Sequence, residues 1–219
     1  RKDPEAGGSL LHVALNQSQA QGRALVSWLL SRDGAAAAAR EPNIRGETAL
    51  HIAAKRGCTF AARSLARLPA VDVDARDMYE HTPLVDAVLE AHLETAEELL
   101  RAGADPNAFV PNCHGHGDTP LVLAVRLKNV EMVRQLVARP DLNFHQKTLL
   151  GVPFGLEALD FAPNKGEIRS LLVVAMARQR AFHSKAEAQR DVRRAGEAAA
   201  AATADSLATA AEVADASDA

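Results

Sequence analysis

The sequence is short of several residue types, and each shortage removes a class of protein. Aromatic residues make up only 4% of the 219 positions, which argues against a sheet-rich core because strands favour aromatic and β-branched side chains. The two cysteines, Cys58 and Cys113, lie far apart and form no disulfide framework, so an intracellular, cytoplasmic location is expected. No apolar run reaches the roughly 20 residues of a membrane helix. The net charge of −3 gives no electrostatic reason to expect nucleic-acid binding.

Alanine, by contrast, is abundant, at about one residue in five, well above its share in an average protein. Small side chains let helices approach one another closely, so this composition favours packed helices over sheets. The length is sufficient for one or two domains with a core of their own. We therefore expect an all-α protein.

The chain repeats itself. A segment beginning Gly46-Glu47-Thr48-Ala49-Leu50-His51 returns as His81-Thr82-Pro83-Leu84 and again as Gly117-Asp118-Thr119-Pro120-Leu121, with weaker first and last copies. In every copy a leucine is followed three residues later by an alanine, which puts both on one face of a helix. The shared leucines recur at intervals of 34 to 39 residues and are Leu11, Leu50, Leu84, Leu121 and Leu159.

Each copy also carries helix boundaries. Thr82-Pro83 and Thr119-Pro120 place a capping hydroxyl directly before proline at the first helical position, which is a strong start signal. Ser9 and Thr48 supply the same hydroxyl without the proline. A second helix follows within each later copy, and the predicted bounds are Thr59–Leu68, Leu93–Ala102, Val130–Ala138 and Glu167–Ala177.

The period and the T-P-L-H-x-A pattern resemble those of the ankyrin repeat. The resemblance covers residues 6–176 and implies a solenoid of helix-turn-helix units with hairpin loops. The implied repeats are 6–42, 43–76, 77–113, 114–147 and 148–177, followed by an alanine- and arginine-rich, then acidic tail at 178–219. In this family the histidine of the pattern holds the turn, so His12 and His51 are expected to be structural. We expect the tail to be a frayed helix or disordered, with a basic partner-binding helix as the alternative.

Three positions depart from the pattern. Glu80 stands where the hairpin usually has glycine, and Ala91 and Lys128 stand where the inter-helix turn usually has it. A left-handed non-glycine residue costs about 1–2 kcal/mol, so we expect another turn geometry there. The first copy carries an insertion, Ser31–Pro42, whose run Ala35–Ala39 either extends a helix or loops out.

Few residues suggest chemistry. Cys113, His114 and His116 form the most metal-like cluster, but a structural zinc site shows four ligands in paired spacing, so a plain loop is expected. No glycine pattern suits a phosphate loop, and neither cysteine has the context of a nucleophile. We therefore expect no catalytic residue, no cofactor and no metal, and no enzyme activity in this chain alone.

The predicted solenoid has a surface at which a protein partner could bind. In a solenoid of this type the hairpin tips and the exposed ends of the first helices form a concave groove, and interface-enriched residue types occur at those positions. We predict a monomeric module that binds a folded protein partner there, with Met78 and Tyr79 as the strongest candidates. Phe144, Leu149 and Phe154 either join them or pack within their loops. The predicted contacts are Arg45, Glu47, Lys55, Met78, Tyr79, His81, Leu89, Glu90, Phe109, His114, His116, Arg126 and Leu127.

Two alternatives remain. The chain begins with Arg1, and arginine outnumbers lysine, so it could be the targeting part of a longer bacterial effector that acts in a host cytoplasm. The secreted arginine ADP-riboxanases, which join an NAD-consuming domain to ankyrin repeats that capture host caspases, have this architecture. Alternatively, the oppositely charged tail halves could make the chain self-associate as a scaffold.

Overall fold

The structure is a computed structural model that describes residues 8–17, 19–32, 34–111, 117–143, 158–163 and 166–179, together with 181 and 190. The chain forms two compact units, Arg1–Val173 and Val174–Ala219. The helices of the first unit are α1 (Leu10–Leu15), α2 (Gln19–Leu30), α3 (Ala35–Arg40), α4 (Ala49–Lys55), α5 (Thr59–Ala66), α6 (Pro83–Leu89), α7 (Leu93–Arg101), α8 (Pro120–Arg126), α9 (Val130–Val137) and α10 (Ala158–Phe161). Residues 167–179 are also helical.

The predicted helix starts are confirmed. The Thr82 hydroxyl accepts from the Val85 amide at 3.4 Å and the Thr119 hydroxyl accepts from the Val122 amide at 3.3 Å, each with proline in the first turn. The second helices α5, α7 and α9 begin at the predicted residues and end one or two residues earlier than predicted. One short two-stranded sheet accompanies the described helices, with β1 (Val110–Pro111) antiparallel to β2 (Gly117–Asp118).

The helices stack as two rows. Within a repeat the two helices pack together, as α4 does with α5 and α6 with α7. Between repeats, the first helices α1, α4, α6, α8 and α10 contact one another in sequence, and so do the second helices α2, α5, α7 and α9. No single pair could bury both of its apolar faces, so the core depends on the neighbours.

Four of the five repeated leucines and all five alanines of the pattern belong to the buried core. Leu50 and Leu84 are completely buried, and burying a leucine contributes about 1.5–3 kcal/mol. The alanines of the pattern allow the close approach, since each is at most 6% exposed. They are Ala14, Ala53, Ala87, Ala124 and Ala162.

The expectation of another turn geometry at Glu80, Ala91 and Lys128 is wrong. Their φ angles are 62°, 58° and 55°, the left-handed values that Gly46 and Gly57 adopt at the matching positions. In the inter-helix turn the reason is a shared pair of backbone hydrogen bonds that satisfies the last carbonyls of the first helix. These bonds are Gly57 N to Ala54 O and Cys58 N to Ala53 O, then Ala91 N to Val88 O and His92 N to Ala87 O, then Lys128 N to Val125 O and Asn129 N to Ala124 O.

The insertion in the first copy forms a helix of its own. Helix α3 begins after Gly34, whose φ of 87° turns the chain away from α2. Ala39 is completely buried, and the Ser9 hydroxyl donates to the Ala38 carbonyl oxygen at 3.1 Å. The alanine run therefore neither extends α2 nor loops out.

Candidate interaction surface

The loops 43–47 and 77–81, which are the hairpin tips of the second and third repeats, are built in the same way. The side-chain oxygen of Asn43 accepts from the amides of Arg45 and Glu47 at 2.8 and 3.0 Å. Oδ1 of Asp77 accepts from the amides of Tyr79 and His81, both at 2.9 Å. Each side chain thus ties down the loop that follows it, as asparagine and aspartate commonly do in turns.

Large side chains project from these tied loops. Ile44 is 73% exposed, Met78 61% and Tyr79 56%, and Arg45 is exposed beside them. The two hairpins are neighbours, because the Met78 amide donates to the Arg45 carbonyl oxygen at 2.9 Å. The Tyr79 ring lies 5.9 Å from the His81 ring. Bulky apolar groups on restrained backbone lose little conformational entropy on binding.

The ends of the first helices add further exposed positions. Leu89 ends α6 at 36% exposure and Glu90 follows it in solvent, while Leu127 is 49% exposed directly after α8. Arg126 is half exposed and pairs with the Asp118 carboxylate. We call the following residues the tip surface: Ile44, Arg45, Met78, Tyr79, Leu89, Glu90, Arg126 and Leu127.

Lys55 lies at the centre of a partly buried ionic network. Its Nζ is 2.6 Å from Glu47 Oε1, 3.4 Å from Asp77 Oδ2 and 3.5 Å from Asp86 Oδ2. Burial alone would lower the pKa of Lys55, but the Glu47 hydrogen bond and the charges of Asp86, Glu47 and Asp77 outweigh it and raise the pKa. The lysine therefore stays charged and is held in place by its carboxylates.

The prediction that Glu47 lies exposed at a tip is wrong. Glu47 is 5% exposed. Lys55 donates a hydrogen bond to one of its carboxylate oxygens, and the Asn43 amide donates to the other at 2.7 Å. Burial alone would raise the pKa of Glu47, but the hydrogen bonds from Lys55 and Asn43 and the charges of Lys55 and Arg45 lower it. Glu47 and Lys55 therefore hold the hairpin against α4.

Asp77, His81 and Asp86 are the group within the described ranges whose ligand atoms could surround a cation, since these atoms lie within 4.8 Å of one another. His81 Nδ1 is 3.3 Å from Asp86 Oδ1. The ammonium group of Lys55 already supplies positive charge to both aspartates. The arrangement is that of an ion-pair network around one lysine, and His81 remains partly exposed at its edge.

The two histidines of the pattern join neighbouring repeats. His51 Nδ1 accepts from the Thr48 amide at 3.1 Å, and its Nε2 lies 3.1 Å from the His81 carbonyl oxygen. A carbonyl only accepts, so Nε2 carries the proton and the ring is neutral. His12 repeats this arrangement between Ser9 and the Glu47 carbonyl oxygen. The structural role predicted for both is confirmed, and burial lowers the pKa of His51.

The remaining predicted contacts lie elsewhere. The Phe109 ring covers the Gly117 Cα so closely that a Cβ there would lie 1.7 Å from the ring, so Phe109 packs against the opposite strand rather than projecting from its loop. Cys113, His114 and His116 lie outside the described residues, as do Phe144, Leu149 and Phe154 and nearly all of the tail. Binding by the tip surface stays a prediction.

The sequence reasoning missed exposed apolar residues on the other row of helices. Leu25 is 40% and Trp28 53% exposed on α2, and the Arg32 guanidinium lies 4.3 Å from the Trp28 ring centre. The segment that contains them reads ALVSWLL, which is apolar apart from Ser27 and gives little signal of which side faces solvent.

The fold and this surface together define a helical-repeat protein that presents hairpin tips. Family models agree, and name the repeat. The model "Ankyrin repeats (3 copies)" matches residues 10–110 and the model "Ankyrin repeat" matches residues 116–147, together more than half of the chain. The protein therefore belongs to the ankyrin-repeat family, whose repeats are generally protein–protein interaction modules and typically lack catalytic activity. The fifth copy lies beyond the matched residues.

Two curated relatives are much longer than the part they share. The chain is 26% identical over 144 residues to "NAD-dependent deacetylase sir2B" of Dictyostelium discoideum, a match that covers 62% of this chain and 17% of that protein. It is 36% identical over 81 residues to "Alpha-latrocrustotoxin-Lt1a" of Latrodectus tredecimguttatus, covering 36% of this chain and 5% of that protein. The chain thus spans less than a fifth of either relative.

Among the described residues, no helix is both long enough and apolar enough to span a membrane.

Proposed function

We propose that this chain is a recognition module that binds a folded protein partner through the tip surface. The observation that carries the proposal is the exposure of Ile44, Met78 and Tyr79 on hairpins whose loops are tied by Asn43 and Asp77. Interfaces are enriched in tyrosine, methionine and arginine, and exposed clusters of large apolar side chains mark contact sites. Leu89 and Leu127 extend the same surface along the first helices.

The test is an alanine scan against the partner once it has been isolated by affinity purification. Replacing Met78, Tyr79, Leu89 and Leu127 one at a time should leave folding unchanged, because all four side chains are exposed. A few of the variants should lose more than about 2 kcal/mol of binding free energy.

Matched controls are Leu25→Ala and Trp28→Ala, which remove similarly exposed apolar side chains from α2. These should bind within about 0.5 kcal/mol of the unchanged protein. A flat scan across the tip surface, or a loss confined to α2, would reject the assignment.

We propose as a second possibility that the chain is the targeting part of a longer enzyme. In its support, the stretch shared with one relative is a small part of an enzyme described as an NAD-dependent deacetylase. The narrower version, an ADP-riboxanase that acts on host caspases, is tested by measuring the intact mass of caspases incubated with NAD and the full-length protein. A caspase adduct supports it, and an unchanged mass counts against it. A cytoplasmic location and a monomeric state also remain proposals.

A further inference from the structure

A second feature of the surface is a cleft between the first repeat and the second hairpin. It encloses about 320 Å³ at one end of the tip surface. Ile52 forms an almost buried part of its wall, and Ile44 overhangs it in solvent. The lining residues are Asn16, Asn43, Ile44, Arg45, Glu47, Ile52, Lys55 and Arg56.

The charges around this cleft differ in how far they reach solvent. Lys55 lies against the nearly buried carboxylates of Glu47, Asp77 and Asp86, and the charge of Arg45 also acts on Glu47. Arg45 and Arg56 are both exposed, and among the described residues neither lies within 4 Å of a carboxylate oxygen. Arg56 donates from Nη2 to Asn16 Oδ1 at 3.1 Å, a contact that fixes the guanidinium without cancelling its charge. These three cations and three carboxylates sum to zero, but the two guanidinium groups are the exposed charges among the six, so a ligand in the cleft meets positive charge first.

The other polar groups of the cleft leave the two arginines available to a ligand. The Asn43 amide is committed to Glu47, and both Glu47 oxygens are engaged, one by Asn43 and one by Lys55. Glu47 therefore accepts its hydrogen bonds from Asn43 and Lys55 rather than from either arginine. Guanidinium groups bind carboxylates in a planar, often bidentate arrangement, and apolar side chains can rest on Ile44 and Ile52.

We propose that this cleft binds an acidic side chain of the protein partner, an aspartate or glutamate next to an apolar residue in an extended segment. The carboxylate lies between Arg45 and Arg56, and the apolar neighbour packs on Ile44. This inference rests on the proposed function, because it assigns the partner's chemistry at one end of the tip surface.

The experiment selects peptides from a random phage-displayed library on the immobilised full chain. Aspartate or glutamate should be enriched next to an apolar residue, and the selected peptide should be bound more weakly when its acid is replaced by the matching amide. The paired variant Arg45→Gln with Arg56→Gln should weaken binding about 2- to 30-fold, as expected for the loss of two exposed ion pairs. Lysine at both positions keeps the charge but not the planar fork, so its affinity should fall between that of the unchanged protein and that of the glutamine pair.

The matched control is Arg32→Gln with Arg67→Gln, which makes the same charge change at exposed positions after α2 and α5. It should bind the selected peptide as the unchanged protein does. Circular dichroism should show the same helical content for all variants, since each altered side chain is exposed.

Three results would overturn the proposal. These are no selected peptide, no enrichment of acidic residues, or equal weakening by the control pair. If apolar peptides are selected whose binding depends on Met78 and Tyr79 but not on Arg45 and Arg56, the cleft assignment fails while the proposed function survives. If the purified partner ignores the whole tip surface, the proposed function fails as well.

Discussion

The contribution of the hydrogen bond between His51 and the His81 carbonyl oxygen to stability can be tested by removing the imidazole ring. His51 is completely buried, and it satisfies the Thr48 amide at 3.1 Å while donating to the His81 carbonyl oxygen. That carbonyl also accepts from the Asp77 amide, so it keeps one partner in a variant. The Thr48 amide loses its partner.

In His51→Ala, the lost bond to His81 costs about 1 kcal/mol, the unsatisfied Thr48 amide about 1–3 kcal/mol, and the cavity a further increment. We expect a loss of about 4 kcal/mol in the free energy of unfolding, a large part of the roughly 5–15 kcal/mol of a typical domain. His51→Val should lose about 2 kcal/mol, because valine fills more of the space and occupies the matching positions Val85 and Val122.

The assay is urea unfolding followed by circular dichroism, with the midpoint and slope compared among the three proteins. A His51→Ala protein within about 0.5 kcal/mol of the unchanged one, below the ordinary effect of a buried truncation, would refute the role given to this ring. So would a valine variant less stable than the alanine variant.

Three further predictions concern the same framework. Burial lowers the pKa of His51 from its ordinary 6.5, so below pH 6.5 the unfolded chain binds a proton that the folded chain does not. The free energy of unfolding should therefore fall as the pH drops from 6.5 to the folded pKa. His51→Val should make this pH dependence shallower. Lys55→Met leaves the carboxylates of its network without their cation and should cost about 2–3 kcal/mol at pH 7, less at pH 4, in urea titrations at both values. Lys128→Gly should raise the free energy of unfolding by about 1 kcal/mol, and with it the melting temperature, because it relieves a left-handed lysine. Gly57→Ala should lower the melting temperature, since its Cβ would lie 2.6 Å from His92 Nδ1. The opposite order would contradict the turn geometry.

The sequence predicted the local structure well where one residue determines it. Thr82-Pro83 specifies a helix start by its own chemistry, and the structure begins α6 there. The left-handed turns at Ala91 and Lys128 were not predictable residue by residue, because the backbone bonds of the preceding helix impose them. Repetition was the better guide, since Gly57 at the matching position marks the required φ.

The candidate site was predicted only in part, for a similar reason. The pattern places Met78 and Tyr79 at a tip regardless of their neighbours, and both are exposed. Whether Glu47 projects or folds inward depends on Lys55, eight residues away on α4, and whether Phe109 projects depends on a glycine across its hairpin. Such pairings need the fold before they can be seen.

The central claim, that the tip surface meets the partner, is tested most directly by photo-crosslinking. A benzophenone side chain is introduced in place of Tyr79 in one protein and in place of Trp28 in another, and each is irradiated with the purified partner. The two positions have similar exposure, 56% and 53%, so differences report location. A covalent complex is expected from position 79 and little from position 28. Equal yields, or a complex from position 28 alone, would show that the partner does not bind at the tip surface.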